Sequence, residues 1–87
     1  MLDPKKKTQL GKRLNRIAGQ VHGIRKMVEE PRYCVEILTQ IAAARAALAG
    51  VGKFVLEDHL NTCVSTAIRR GAAEREIKEL MDVFEKF

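Results

Sequence analysis

Apolar residues recur at steps of three and four along the N-terminal third of the chain: Leu10, Leu14, Ile17, Val21, Ile24 and Val28. That period predicts an amphipathic helix from Pro4 to Glu29, with Asp3 as its N-cap and Pro4 in the first helical position, where a missing N–H costs nothing. Pro31, in EEPRYC, blocks continuation. From Tyr33 to Arg70 there is no proline; CVEILTQIAAARAAL carries Val35, Leu38, Ile41 and Leu48 on one side, and the pattern resumes in KFVLEDHLNTCVSTAIRR. Only Gly50 and Gly52 interrupt it. Two arrangements satisfy the pattern: one long helix, bent or straight at GVG, or a hairpin of two helices turning there. Gly71 suits a helix C-cap, after which Ile77, Leu80, Met81 and Phe84 mark a short last helix.

The fold class expected is therefore all-α, with three helices around a long central one and residues 1–87 forming a single domain. No repeat or low-complexity segment divides the chain. Its 87 residues allow a modest core. A central helix of that length cannot cover its own apolar surface with two shorter neighbours, so the single-helix arrangement also predicts an oligomer. The small side chains of AAARAALAG would let two helix backbones approach closely.

Charge changes the picture next. The formal net charge is +5, concentrated towards the N-terminus, so a polyanion such as nucleic acid is the expected partner. At 100° per residue, Lys5, Lys12, Arg13 and Arg16 fall within an arc of about 80 to 100° beside the apolar stripe. Lys6, Lys7, Arg45, Lys53, Arg69 and Arg70 are weaker candidates. Any one of these could be an ordinary solvated side chain; the clustering is what points to phosphate. With no helix-turn-helix or zinc-finger pattern, contact through a broad charged face is expected, with salt-dependent affinity. The chain lacks the apolar stretch of a signal peptide, and no 18-residue apolar run long enough to span a membrane is expected, so the expected compartment is the cytoplasm. Thiols there stay reduced, so two cysteines suggest metal binding, redox sensing or packing rather than a disulfide.

Within HLNTC, His59 and Cys63 stand four residues apart, and on an α-helix such a pair shares one face with side chains about 5 to 6 Å apart. Cys34 lies 25 residues before His59. On one straight helix that is about 37 Å, too far to share a metal within a chain. A second copy laid antiparallel, crossing near Ala47 and Leu48, brings Cys34 of one chain beside His59 and Cys63 of the other. A hairpin at Gly50–Gly52 would instead pair Cys34 with a residue near Ile68. Two thiolates and one imidazole suit Cu(I), whereas Zn(II) normally takes a fourth ligand. Plain packing of two small apolar cysteines satisfies the same spacing. There is no CxxC, so a thiol redox enzyme is disfavoured and no catalysis is expected.

The pattern RLNRIAGQVHGIRKMVEEPRYCVEILTQIAAARAAL followed by HLNTCVSTAI closely resembles the copper-sensitive operon repressor family over nearly the whole chain. The resemblance implies an antiparallel helical dimer assembling into a disc-shaped homotetramer that represses transcription from operator double-stranded DNA and releases it when Cu(I) binds. It takes no small organic substrate. Copper members carry Cys, His and Cys at the positions matched by Cys34, His59 and Cys63. Nickel and cobalt members have a further histidine near the N-terminus, where this chain has Leu2 and Asp3. Formaldehyde sensors depend on an N-terminal proline next to the cysteine, where this chain's only nearby proline is Pro4, and persulfide sensors lack the middle histidine. Tyr33 and Glu79 match residues that surround the ligand histidine, Arg13 matches a helix-1 arginine used against DNA, and a relative carries arginine where this chain has Gly50. His22 falls outside the matched ligands. The competing readings are a repressor of this fold answering another metal, persulfide or an aldehyde, and an architectural DNA-binding protein.

Overall fold

The computed structural model describes residues 2–86, apart from the side chains of Cys63, Val64 and Phe84. Helix α1 spans Pro4–Glu29. The Asp3 carboxylate accepts the Lys6 backbone N–H at 2.8 Å, satisfying one of the open donors of the first turn, and Pro4 occupies the position expected of it. After Glu29 the backbone turns extended at Glu30, and Pro31 keeps it from resuming the same helix.

Helix α2 runs from Cys34 to Arg69. It is α-helical over Cys34–His59, π-helical over Leu60–Val64, and α-helical again over Ser65–Arg69. Gly50 and Gly52 lie inside it, so the long-helix arrangement holds and the hairpin does not. Two glycines together weaken a helix by about 2 kcal/mol relative to alanine, too little to break one that gains from packing on either side. Helix α3 spans Ala73–Phe84. The link between α2 and α3 is a Schellman turn: Ala72 N–H reaches Ala67 O at 2.8 Å, Gly71 N–H reaches Ile68 O at 3.0 Å, and Gly71 sits at φ +70°. An L side chain at that φ costs about 1 to 2 kcal/mol. Gly71→Ala is therefore expected to lower the midpoint of urea unfolding at fixed chain concentration; an unchanged midpoint would show that this turn does not need a left-handed residue.

Two compact units divide the chain, Leu2–Phe54 and Val55–Phe87. In the first, Leu10 and Ile17 of α1 meet Val51 of α2, with Leu2, Ala47 and Phe54 packed around them. In the second, α3 folds back on the π turn and on Ser65–Arg69. The apolar stripe foreseen on α1 is wider than this core uses: Leu14 is 44% exposed, Val21 55% and Val28 66%. The same holds along α2, where Val35, Leu38, Ile41 and Leu48 all stand exposed, and on α3 for Ile77 and Met81.

One sequence expectation needs correction. Helix α2 is, by length and composition alone, apolar enough to cross a membrane, because alanine and aliphatic residues outweigh its scattered charges. A core helix shared between chains meets the same description, and the exposed aliphatic row on α2 gives such a helix something to bury.

Candidate metal centre and nucleic-acid face

His59 closes the α-helical run of α2, and the π turn begins at the next residue. Three hydroxyls at and after that junction bond back to the chain. Thr62 Oγ1 donates to Asp58 O at 2.8 Å, Ser65 Oγ to Leu60 O at 2.9 Å, and Thr66 Oγ1 to Thr62 O at 2.7 Å. The Ser65 backbone N–H also reaches Leu60 O, five residues back, which is the bond that defines a π turn. Hydroxyl back-bonding of this kind loosens and bends helices, and the run TCVST supplies three such groups. Cys63 lies in the π turn, and its side chain falls outside the described residues. The side-by-side geometry of an α-helical i, i+4 pair therefore does not carry over to His59 and Cys63: the turn between them is wider than an α turn.

The His59 imidazole is partly covered, at 24% side-chain exposure, and its Nε2 lies 3.8 Å from Glu76 Oε2, itself 32% exposed. Glu79, the carboxylate expected near this histidine, instead accepts Arg75 Nε at 3.1 Å on the outside of α3. The i, i+4 pair of Arg75 and Glu79 satisfies both charges within one helix, whereas Glu76, three residues earlier, is the one turned to the end of α2. Glu76 was not singled out from the sequence. Three glutamates crowd the stretch AEREIKEL, and spacing alone does not say which one faces back.

At the other end of α2, Cys34 is a free, exposed thiol in the first residue of the helix. Tyr33 precedes it, 71% exposed, its carbonyl accepting the Glu36 N–H at 3.0 Å. Arg32 braces this entry. Its Nε meets Glu30 at 3.0 Å and its Nη1 lies 3.6 Å from Glu36, and hydrogen bonding to Glu30, then the Glu30 charge, raise the guanidinium pKa further. Among the described residues, no cluster of three His, Cys, Asp or Glu side chains gathers within one chain to hold a metal ion.

On α1, Lys5, Lys12, Arg13 and Arg16 are all exposed, as is His22. Arg13 lies across α2 at Gly50: a Cβ built on that glycine would come 2.8 Å from Arg13 Nη2. The absence of a side chain at position 50 is thus what leaves room for Arg13 there.

A chain with a basic helix face and soft donors spaced along a central helix is the layout of a metal-responsive regulator rather than of an enzyme. This chain belongs to the metal-sensitive transcriptional repressor family, whose model matches residues 6–86. It is 54% identical over 83 residues to the copper-sensing transcriptional repressor CsoR of Bacillus subtilis strain 168, covering 95% of this chain and 82% of that protein. The crystal structure of the copper-sensing repressor CsoR with Cu(I) from Geobacillus thermodenitrificans NG80-2 superposes with a TM-score of 0.93 at 49% identity, covering all 100% of this chain and 91% of the other. The nickel-responsive transcriptional regulator InrS matches at a TM-score of 0.76 and 40% identity, over 91% of this chain and 89% of its own.

Proposed function

We propose that this chain is a cytoplasmic Cu(I)-responsive repressor that holds operator DNA without the metal and releases it when Cu(I) binds at a site shared between two subunits. The observation that carries this reading is His59, its Nε2 turned to Glu76 at the α-to-π junction and Cys63 following in the π turn, in a chain 54% identical to a copper-sensing repressor. Two thiols and an imidazole form a soft donor set that suits Cu(I). With Nε2 facing a carboxylate, Nδ1 is the nitrogen left for the metal.

Cys34 and His59 cap the two ends of an unbroken α-helical run, which at 1.5 Å per residue is about 37 Å long. The third donor must then come from a neighbouring chain. An antiparallel pairing of α2 about Ala47 and Leu48 supplies it and covers Val35, Leu38, Ile41 and Leu48, which are otherwise in water. Two such dimers form the homotetramer. Tyr33 and Glu79 are the further polar groups proposed around the imidazole in the assembled site.

Cu(I) would be held by Cys34, His59 and Cys63, and would supply a soft acceptor able to join donors of two chains. The chain's own response is the rest of the switch. His59 and Cys63 flank a turn already loosened by three back-bonded hydroxyls, so drawing them to a common point reshapes α2 there. Helix α3, packed on that turn, shifts with it. The basic faces carrying Lys5, Lys12, Arg13 and Arg16 then no longer match the spacing of phosphates on the duplex. By linkage, DNA must weaken metal binding to the degree that metal weakens DNA binding.

The test is a titration of the operator upstream of this gene with and without Cu(I), read beside metal stoichiometry. Release at one Cu(I) per chain supports the reading. Release by Ni(II) but not Cu(I) would favour the behaviour named for InrS, and DNA binding without operator preference would favour an architectural protein. Affinity of the metal-free protein should fall steeply with salt. Arg13→Ala should weaken binding across all sequences and flatten the slope of log K against log salt by about 1; an unchanged slope would take Arg13 off the phosphate-contacting face.

A further inference from the structure

Gly50 stands inside α2, where glycine is less favourable than alanine, and what its missing side chain makes room for is the end of Arg13. We infer that Gly50 is a positioning residue for the DNA-binding face: by leaving the α2 backbone bare, it lets the Arg13 guanidinium lie across that helix and holds it ready for a phosphate of the duplex. The inference rests on the DNA-binding reading above and adds to it a residue with no charge of its own.

The core sets the two positions side by side. Arg13 leaves α1 between Leu10 and Ile17, Gly50 directly precedes Val51, and those three apolar residues pack together. A Cβ built at position 50 would come 2.8 Å from Arg13 Nη2, closer than a methyl and a guanidinium nitrogen can stand, so the Arg13 side chain follows its present path only with glycine there. The clashing atom is the last of a flexible side chain and not backbone, so an added methyl displaces the guanidinium and leaves the helices in place. Going round α2 at about 100° per residue, Ile41 and Leu48 lie about 160 to 180° from Gly50. The methyl therefore also stays clear of these two members of the exposed row proposed to pair with a second α2. Arg13 remains exposed, and none of the ion pairs formed among the described residues involves it, so its charge is not neutralised by a carboxylate. A guanidinium carries its N–H donors in a flat fork, and with one edge over α2 the rest stay open to phosphate oxygens. An arginine that moves freely in water loses rotamer freedom when it meets a phosphate. One already laid against a helix has lost much of it beforehand, a difference typically of about 2- to 10-fold in affinity for each side chain ordered.

The experiment compares wild type with Gly50→Ala, Arg13→Ala and the double variant in the full-length, metal-free chain. The readouts are nitrogen-15 relaxation of the arginine Nε–H groups without DNA, affinity for the operator with its salt dependence, and the midpoint of urea unfolding. In wild type the Arg13 Nε–H should be more ordered than that of the exposed Arg16, and Gly50→Ala should bring it to the same mobility. Gly50→Ala should weaken operator binding by about 2- to 10-fold for each Arg13 at the duplex. The slope of log K against log salt should stay as in wild type, because the charge is still there, and the unfolding midpoint should be equal or higher, because alanine favours the helix. Added to Arg13→Ala, Gly50→Ala should bring no further loss of affinity. An Arg13 Nε–H as mobile as that of Arg16 in wild type, unchanged order in Gly50→Ala, undiminished operator affinity in that variant, or a lowered unfolding midpoint would each overturn the proposal. Arg13→Ala binding the operator with wild-type affinity and slope would overturn the placement of Arg13 on the DNA face itself, whatever the relaxation of its side chain shows.

Discussion

Chains carrying His59→Ala are expected to bind the operator as wild type does and to stay bound when Cu(I) is added. The substitution removes the middle donor but touches neither the α1 basic face nor the Leu10, Ile17 and Val51 core. Two thiols remain, and Cu(I) accepts low coordination numbers with sulfur, so some metal should still bind. What is lost is the link between metal and α3, because His59 is the donor that faces that helix. Coupling of this kind is typically about 1 to 3 kcal/mol, which is roughly 5- to 150-fold in DNA affinity. The variant should shrink that factor to near unity. The measurement is fluorescence anisotropy of labelled operator under anaerobic conditions, with and without one equivalent of Cu(I). A His59→Ala protein that releases DNA as readily as wild type would show a switch run by thiols alone.

The second large effect concerns where the site is assembled. If Cys34 of one subunit joins His59 and Cys63 of another, Cys34→Ala and the double variant His59→Ala with Cys63→Ala should each bind Cu(I) poorly when pure. Mixed, they should recover. In a hybrid dimer one site contains all three donors and the other none, and random exchange makes half of the dimers hybrid. The mixture should therefore regain about one quarter of the wild-type stoichiometry at wild-type affinity. Subunit exchange is verified independently with mass-tagged chains. A mixture that exchanges yet remains as weak as its parents would place all three donors within one subunit, contrary to a helix unbroken between Cys34 and His59.

Much of the architecture could be read from local chemistry. Asp3 and Pro4 announced the start of α1, and Gly71 its counterpart at the end of α2, because cap residues act over one turn and need no distant partner. Whether α2 continued through Gly50 and Gly52 could not be read the same way: the glycine penalty is small, and the packing that outweighs it comes from residues as far off as Leu10 and Ile17. The π turn was invisible to hydrophobic periodicity, which assumes one residue spacing throughout; the cluster Thr62, Ser65 and Thr66 was its only trace. Glu76 escaped notice because the return angle of α3, not spacing along it, decides which glutamate meets His59. The expectation that the chain holds no 18-residue run apolar enough to span a membrane is corrected at α2 by length and composition alone, since its charges are few and its alanines many.

Arg13 resting over Gly50 makes those two positions a single unit of design. An arginine placed at position 50 would displace the guanidinium already there and set two like charges against each other, so the exchange should yield little added grip on a duplex. Substitutions at 13 and 50 should thus be strongly non-additive in a double-mutant cycle. An engineer seeking a tighter repressor would do better to enlarge the positive face elsewhere and leave this small vacancy alone.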